Sequence, residues 1–351
     1  FERATLTPSL SSGPYQVSSV KPGKQVVFQR VKDYWAADLP VNRGRYNFDQ
    51  VIFEFFRDAD VGFEAFKSGD YDLHYDYSSK HWATAYDFAA VEQGQIIKQE
   101  IPHQMPRPVQ AFFFNTRSAP FNDLNVRKAA SLLFDFEWSN RNLFSNAYSR
   151  TVSWFPNSPY TAPVPATAEE QALLADQAKH LPDNFFSADI HPPVNDGSGQ
   201  IRNRMREALS LLQESGWRLQ DHKLVNEQGK PLRFTVLNYH NPGIYRILAP
   251  WFRNLQRLGI EADYREVEPA AYKERLDNFD YDVVLFVLPV RDYPGPELTD
   301  YFASSSADIP GSKNLAGISH PVVDFLVRTA LSAEQEAEYV LSLQALDRML
   351  R

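Results

Sequence analysis

The 351-residue sequence contains no cysteine, which removes thiolate zinc sites, thiol nucleophiles and disulfides together. It also lacks a long apolar run. The longest, around Val283–Val290, falls far short of the roughly 20 residues that a bilayer crossing needs. Positive charge is scattered among acidic neighbours and the formal net charge is -8, whereas a nucleic-acid surface concentrates Lys and Arg on one face. Nucleic acid is therefore not expected as a partner. Phe1–Ser12 has neither the basic start nor the apolar core of a signal peptide, so export has to be argued on other grounds.

Catalytic signatures are missing too. No GxSxG elbow, GxxxxGK[ST] phosphate loop, HExxH pair or GxGxxG turn occurs. His74 and His81 are the closest histidines, and a spacing of seven is a weak metal pattern. Glu266 and Glu268 would share a strand face, but paired carboxylates are common in an acidic chain and the distance that glycoside chemistry requires is not readable. The sequence predicts no catalytic residue, no metal and no cofactor.

What is present is enough for a large core: 43% hydrophobic and 14% aromatic residues, including 25 Phe and 17 Tyr. The length suggests two domains. A hairpin is expected around Lys21–Lys24, followed by a strand at 51–56, a helix at Ala59–Lys67 stopped by Gly69, and extended chain at Tyr71–His74, together a β-α-β unit. Another strand runs from Val109 to Asn115, and Asp123 is placed to cap a helix over 124–134. The stretch 153–193, rich in Pro, Asn and Ser, reads as long loops with one helix at 168–179. Helical spacing returns at 202–215, 245–258 and 270–277. Strands are expected at 223–225 and 232–237, paired as a hairpin, and at 260–267 and 281–288. Two helices follow from Pro321. Alternating helices and strands make the later part an α/β domain.

Several segments in this order resemble the family 5 extracellular solute-binding proteins, the peptide and nickel receptors of bacterial ABC importers. They are Ser12-Gly13-Pro14-Tyr15, Lys21-Pro22-Gly23-Lys24, Arg30 with Asp33-Tyr34-Trp35, Ala65–Asp72, Phe114–Arg117 with Pro120–Asp123, and Val126–Ala129. Phe134–Trp138, Tyr148–Arg150, Ser153–Phe155, Ala303–Gly317 and Gln344–Arg348 are similar to the YejA-like branch. The resemblance implies an α/β, two-lobed periplasmic-binding-protein fold of type II. Residues 1–110 would be part of lobe 1 and 111–351 a nearly complete lobe 2, with the chain incomplete at both ends. It implies a periplasmic, monomeric receptor, not an enzyme, that encloses a peptide or peptide-like solute by hinge closure and delivers it to permease subunits. A ligand-sensing module of a transcriptional regulator is the alternative.

An amine anchor in such a receptor needs a carboxylate shielded from water, because an exposed ion pair contributes only about 0–1 kcal/mol. Asp292, just past the apolar 281–288 strand and followed by Tyr293, sits where α/β folds place ligands and resembles the Asp-Tyr pair of oligopeptide receptors. Arg150 and Arg291 would meet a carboxylate or phosphate. Trp154, Phe155 and Tyr160 would stack on side chains, and Asn314 would bond a peptide backbone or hold its own loop.

Overall fold

The computed structural model describes residues 8, 10–239 and 242–351. Of the stretch assigned above to lobe 1, residues 1–7 and 9 lie outside the described residues. Contacts divide the chain into two compact units, Phe1–Lys98 and Gln99–Arg351.

The first unit is an antiparallel sheet, β1 (Tyr15–Lys21), β2 (Gln25–Arg30) and β3 (Gln50–Glu54), in that order. Gly23 turns the β1–β2 hairpin at φ 67°, a conformation that a Cβ would strain. Helix α1 (Ala59–Lys67) starts where the Asp58 carboxylate accepts the Val61 amide at 2.9 Å, and buries Phe63 and Phe66. Short helices α2 (Ser79–Thr84) and α3 (Ala89–Glu92) follow. The expected β-α-β unit does not form. Segment 71–74 makes no strand; the Tyr71 hydroxyl lies 2.9 Å from both the Gly62 carbonyl and His74 Nδ1. This folds the segment back on α1. His81 faces Asp60 instead, 3.5 Å away.

The second unit begins with β4 (Val109–Phe114), α4 (Leu124–Leu132), α5 (Phe136–Leu143), α6 (Ala168–Leu173) and α7 (Arg202–Glu214). The small hairpin of β5 (Arg218–Gln220) and β6 (Lys223–Val225) follows. Then come β7 (Arg233–Tyr239), α8 (Pro242–Arg257), β8 (Glu261–Val267), α9 (Pro269–Asp277), β9 (Val283–Leu288), α10 (Glu297–Phe302), α11 (Pro321–Ser332) and α12 (Glu336–Leu350). Asp123 caps α4 as expected, its carboxylate accepting the Asn125 amide at 2.8 Å. The sheet order is β4-β9-β7-β8, with β7 parallel to β8 and β9, and β4 antiparallel to β9. The expected hairpin of 223–225 with 232–237 is replaced. β7 is taken by its parallel neighbours, β6 pairs with β5, and only the Val225–Pro231 bridge remains.

Alternation along the strands feeds two cores. Val283, with Phe234 and Val236, faces a cluster containing Leu212, Leu248 and Leu255, on the side of α4, α7 and α8. Val284, with Leu237, faces the cluster of Tyr272, Leu298, Leu326 and Leu346, on the side of α9–α12. Val283 and Val284 are both fully buried.

Candidate functional site

Because β7, β8 and β9 are parallel, their carboxyl ends share one edge of the sheet, the position where open α/β sheets accept ligands. β9 leaves that edge through Pro289, Val290, Arg291, Asp292, Tyr293 and Pro294 before α10 begins at Glu297. Two phenols hold this loop by its backbone. Tyr160 donates to the Asp292 carbonyl at 2.9 Å and Tyr339, on α12, donates to the Pro294 carbonyl at 2.6 Å. Their rings stand edge to face, 5.5 Å apart. Burial raises both phenol pKa values above the ordinary tyrosine value, so the hydroxyls stay protonated donors.

The loop carrying Tyr160 is itself moored to α12. Asp347 Oδ1 accepts from Ser153 Oγ at 3.0 Å and the Trp154 amide at 2.6 Å, while Oδ2 accepts from the Ala162 amide at 2.8 Å. Arg348 Nε reaches Glu170 Oε1 at 2.5 Å, with both side chains fully buried, and the guanidinium also donates to the Pro163 carbonyl. The Trp154 indole N–H donates to the Leu350 carbonyl at 3.1 Å. Charge-assisted bonds of this kind in a dry interior fix geometry strongly.

Six of the residues singled out from sequence meet here. Arg291, Asp292 and Tyr293 are exposed on the loop, Tyr293 at 72%. Trp154 and Phe155 lie below, lining a narrow crevice with Arg291, Glu297, Tyr301 and Phe302. Phe155 and Tyr160 are 2% and 3% exposed, so their rings close a core and support the loop rather than standing in solvent. Asp292 is not shielded from water as the sequence reading required. The loop bends at 292–293 and its anchors are the backbone carbonyls of Asp292 and Pro294, which leaves this side chain outside.

Two residues lie apart. Arg150 is half-buried, donating to the Pro193 carbonyl at 2.6 Å and standing 6.0 Å from the Phe136 ring centroid. Burial lowers its pKa, and the charges of Glu137 and Asp135 oppose that. Asn314 is wholly buried, its amide donating to the carbonyls of Ala303 and Ile318 and accepting the Ile318 amide at 2.7 Å. It pins the 303–318 loop. A wider cleft, about 260 Å3, lies at the amino end of β9 between Asn115, Thr235, Arg265 and Asp282, away from this edge.

Glu297, which the sequence reading did not single out, also lines this crevice. Its side chain is 14% exposed and its Oε1 lies 3.5 Å from Arg291 Nε. The available signal was an acid five residues beyond Asp292, at the end of Pro294-Gly295-Pro296.

The model of a family described as bacterial extracellular solute-binding proteins, family 5 Middle, matches residues 2–309. The YejA protein of Escherichia coli (strain K12) is 40% identical over 346 residues, covering 98% of this chain and 57% of that protein. A protein of Agrobacterium fabrum named as a probable peptide-binding protein YejA is 37% identical over 353 residues, covering all of this chain and 57% of that one. The chain thus spans a little over half the length of these relatives. Among solved structures, the oligopeptide-binding protein AppA of Bacillus subtilis, in complex with a nonapeptide, is similar with TM-score 0.67 and 19% identity, over 96% of this chain and 58% of that one. NikA of Brucella suis, in complex with Fe(III)-EDTA, has TM-score 0.68 and 18% identity, over 97% and 60%. These two likenesses establish the α/β fold of the two-lobed binding proteins.

Proposed function

The chain belongs to the family 5 bacterial extracellular solute-binding proteins, and from that membership we propose that it is substrate-binding machinery of an ABC importer whose solutes are peptides or peptide-like molecules. The observation that carries the reading is the family match over residues 2–309. The relative from Agrobacterium named for peptide binding supports the ligand class. The sensor alternative draws no support from these relatives. The protein's work is capture and release, without bond chemistry, as a periplasmic monomer that docks on permease subunits. On this reading residues 1–110 are part of lobe 1 and residues 111–351 a nearly complete lobe 2, and the division of the chain into compact units at 98/99 supports a boundary in that region.

At the residue level, the loop after β9 is the recognition element, with Arg291, Asp292 and Tyr293 as its ligand-facing side chains. Trp154, Phe155 and Tyr160 position that loop. Peptides of many sequences share only their termini and backbone amides, so a receptor that anchors those groups is selective for peptides without reading side chains.

Native mass spectrometry of the full chain purified from its own cells, followed by ejection and identification of the bound small molecule, tests the proposal. A peptide or peptide conjugate is expected. A sugar or a metal chelate as the occupant overturns the peptide assignment while leaving the importer role.

A further inference from the structure

Along the sequence basic and acidic residues are interspersed; the fold of the second unit separates them. Helices α4, α7 and α8, which cover one face of the sheet, carry eight Lys or Arg against two acids, Glu207 and Glu214. Helices α9–α12, on the other face, carry eight acids against four Lys or Arg. The basic helices form one layer. α4 packs against α7, and α8 is tied to the end of α4 by the Trp251 indole N–H, which donates to the Ala130 carbonyl at 2.9 Å, and by the Asn254 side-chain amide, which donates to the Leu133 carbonyl at 3.0 Å.

Helix stability does not account for this charge. Glu207 is already paired with Arg204 at 3.0 Å. Lys128, Arg202, Arg253 and Arg257 are exposed and have no hydrogen bond or ion pair among the described residues. Arg202 is the first residue of α7, the end at which the helix dipole disfavours a cation. Arg253 and Arg257 stand one turn apart on α8, a helix without an acid, and like charges at that spacing destabilise a helix.

We propose that this layer is a docking surface for an anionic lipid bilayer, whose headgroup phosphates its Lys and Arg side chains meet. The choice of a bilayer rests on the reading of the protein as importer machinery, which works beside a membrane; the surface itself rests on the placement of charge. A protein partner would call for an apolar or aromatic centre, and among the described residues of these helices Leu124 and Tyr245 are the only exposed large apolar side chains. Lipid headgroups attract basic side chains without such a centre. The net charge of -8 does not prevent approach, because charges more than about 10 Å away are largely screened at 0.1 M salt and the acidic helices lie across the sheet.

Cosedimentation of the full chain with vesicles tests this. Phosphatidylcholine vesicles containing phosphatidylglycerol should bind it in low salt and release it as salt rises to about 0.5 M, where screening acts within a few ångströms. Vesicles of phosphatidylcholine alone should not bind it. The variant Arg202→Gln, Arg253→Gln, Arg257→Gln should partition about a hundredfold more weakly, as expected for the loss of three surface cations. A control variant, Lys179→Gln, Arg265→Gln, Arg328→Gln, changes the net charge equally at exposed, unpaired positions outside the layer and should weaken partition less than about threefold. All six positions are exposed, so both variants should keep the melting temperature of the unaltered protein.

Absence of binding to the anionic vesicles, or equal losses in the two variants, overturns the docking surface. Tighter binding of polyglutamate or of a short DNA duplex than of the vesicles, at equal concentration of negative charge, overturns the choice of a bilayer. The solute identified by mass spectrometry decides the peptide reading and the vesicles decide the surface, so the two fail separately.

Discussion

Arg348 and Glu170 form an ion pair with side-chain exposures of 0% and 1%, and Arg348 Nη1 has no hydrogen-bond partner among the described residues. Removing one partner leaves an uncompensated buried charge, so Glu170→Gln should lower stability by about 3–5 kcal/mol. Replacing both together, as Glu170→Leu with Arg348→Met, should cost far less. Urea denaturation of the three proteins checks this; equal losses in the single and double variants would show that packing, not charge, dominates. Tyr272 gives the molecule an alkaline limit. Its phenol donates to the Leu285 carbonyl at 3.2 Å, and burial pushes its pKa from 10.0 to about 12. The folded state then holds the proton more tightly than the unfolded chain. The stabilisation is fully present below pH 10.0 and is lost as pH rises toward the folded value of about 12. Melting temperature should fall across that window, and less steeply in Tyr272→Phe.

β9 joins the two cores of the second unit through adjacent residues that point to opposite faces. Val283→Ala and Val284→Ala should each cost about 2 kcal/mol, and because the two neighbours share one stretch of backbone and one ladder, the double variant should depart from the sum by more than about 0.5 kcal/mol. Denaturant midpoints of the three variants measure it. This strand was legible in the sequence from its run of β-branched and aromatic residues, as were the helices at 59–67, 124–132 and 202–214, where apolar spacing and caps agree. Strand partners were not. Residues 71–74 have a strand-like composition, yet Tyr71 hydrogen-bonds within its own unit; 232–237 was assigned to a local hairpin, yet β8 provides a longer, parallel ladder along the whole of β7. Local patterns report that a segment is extended but not which edge it meets. The site shows the same division. The loop at 291–293 was readable as the exit of a buried strand. The roles of Trp154, Phe155 and Tyr160 depend on Asp347 and on the Asp292 carbonyl, both far along the chain, and an aromatic-rich loop has the same composition whether it lines a cleft or closes a core.

Across the whole molecule, burial is unequal. Among the described residues of Phe1–Lys98, only Ala36, Phe63 and Phe66 are buried hydrophobics, while Gln99–Arg351 contains both large cores. A fragment of residues 99–351 should therefore melt cooperatively by circular dichroism, and a fragment of residues 1–98 should not, since three buried side chains cannot offset an ordering cost of about 1–2 kcal/mol per residue. A cooperative transition in the small fragment would contradict this. The Asp347 anchor also bears on the order of events in time. Its partners at Ser153, Trp154 and Ala162 lie 194, 193 and 185 positions earlier in the chain, and the loop-closure cost of so distant a contact comes before its reward. During synthesis the ribosome must deliver α12 before residues 153–163 can take their final shape. The loop after β9, which leans on Tyr160 and on Tyr339 of α12, therefore cannot set until α12 has left the ribosome, although its own residues are made about forty positions earlier.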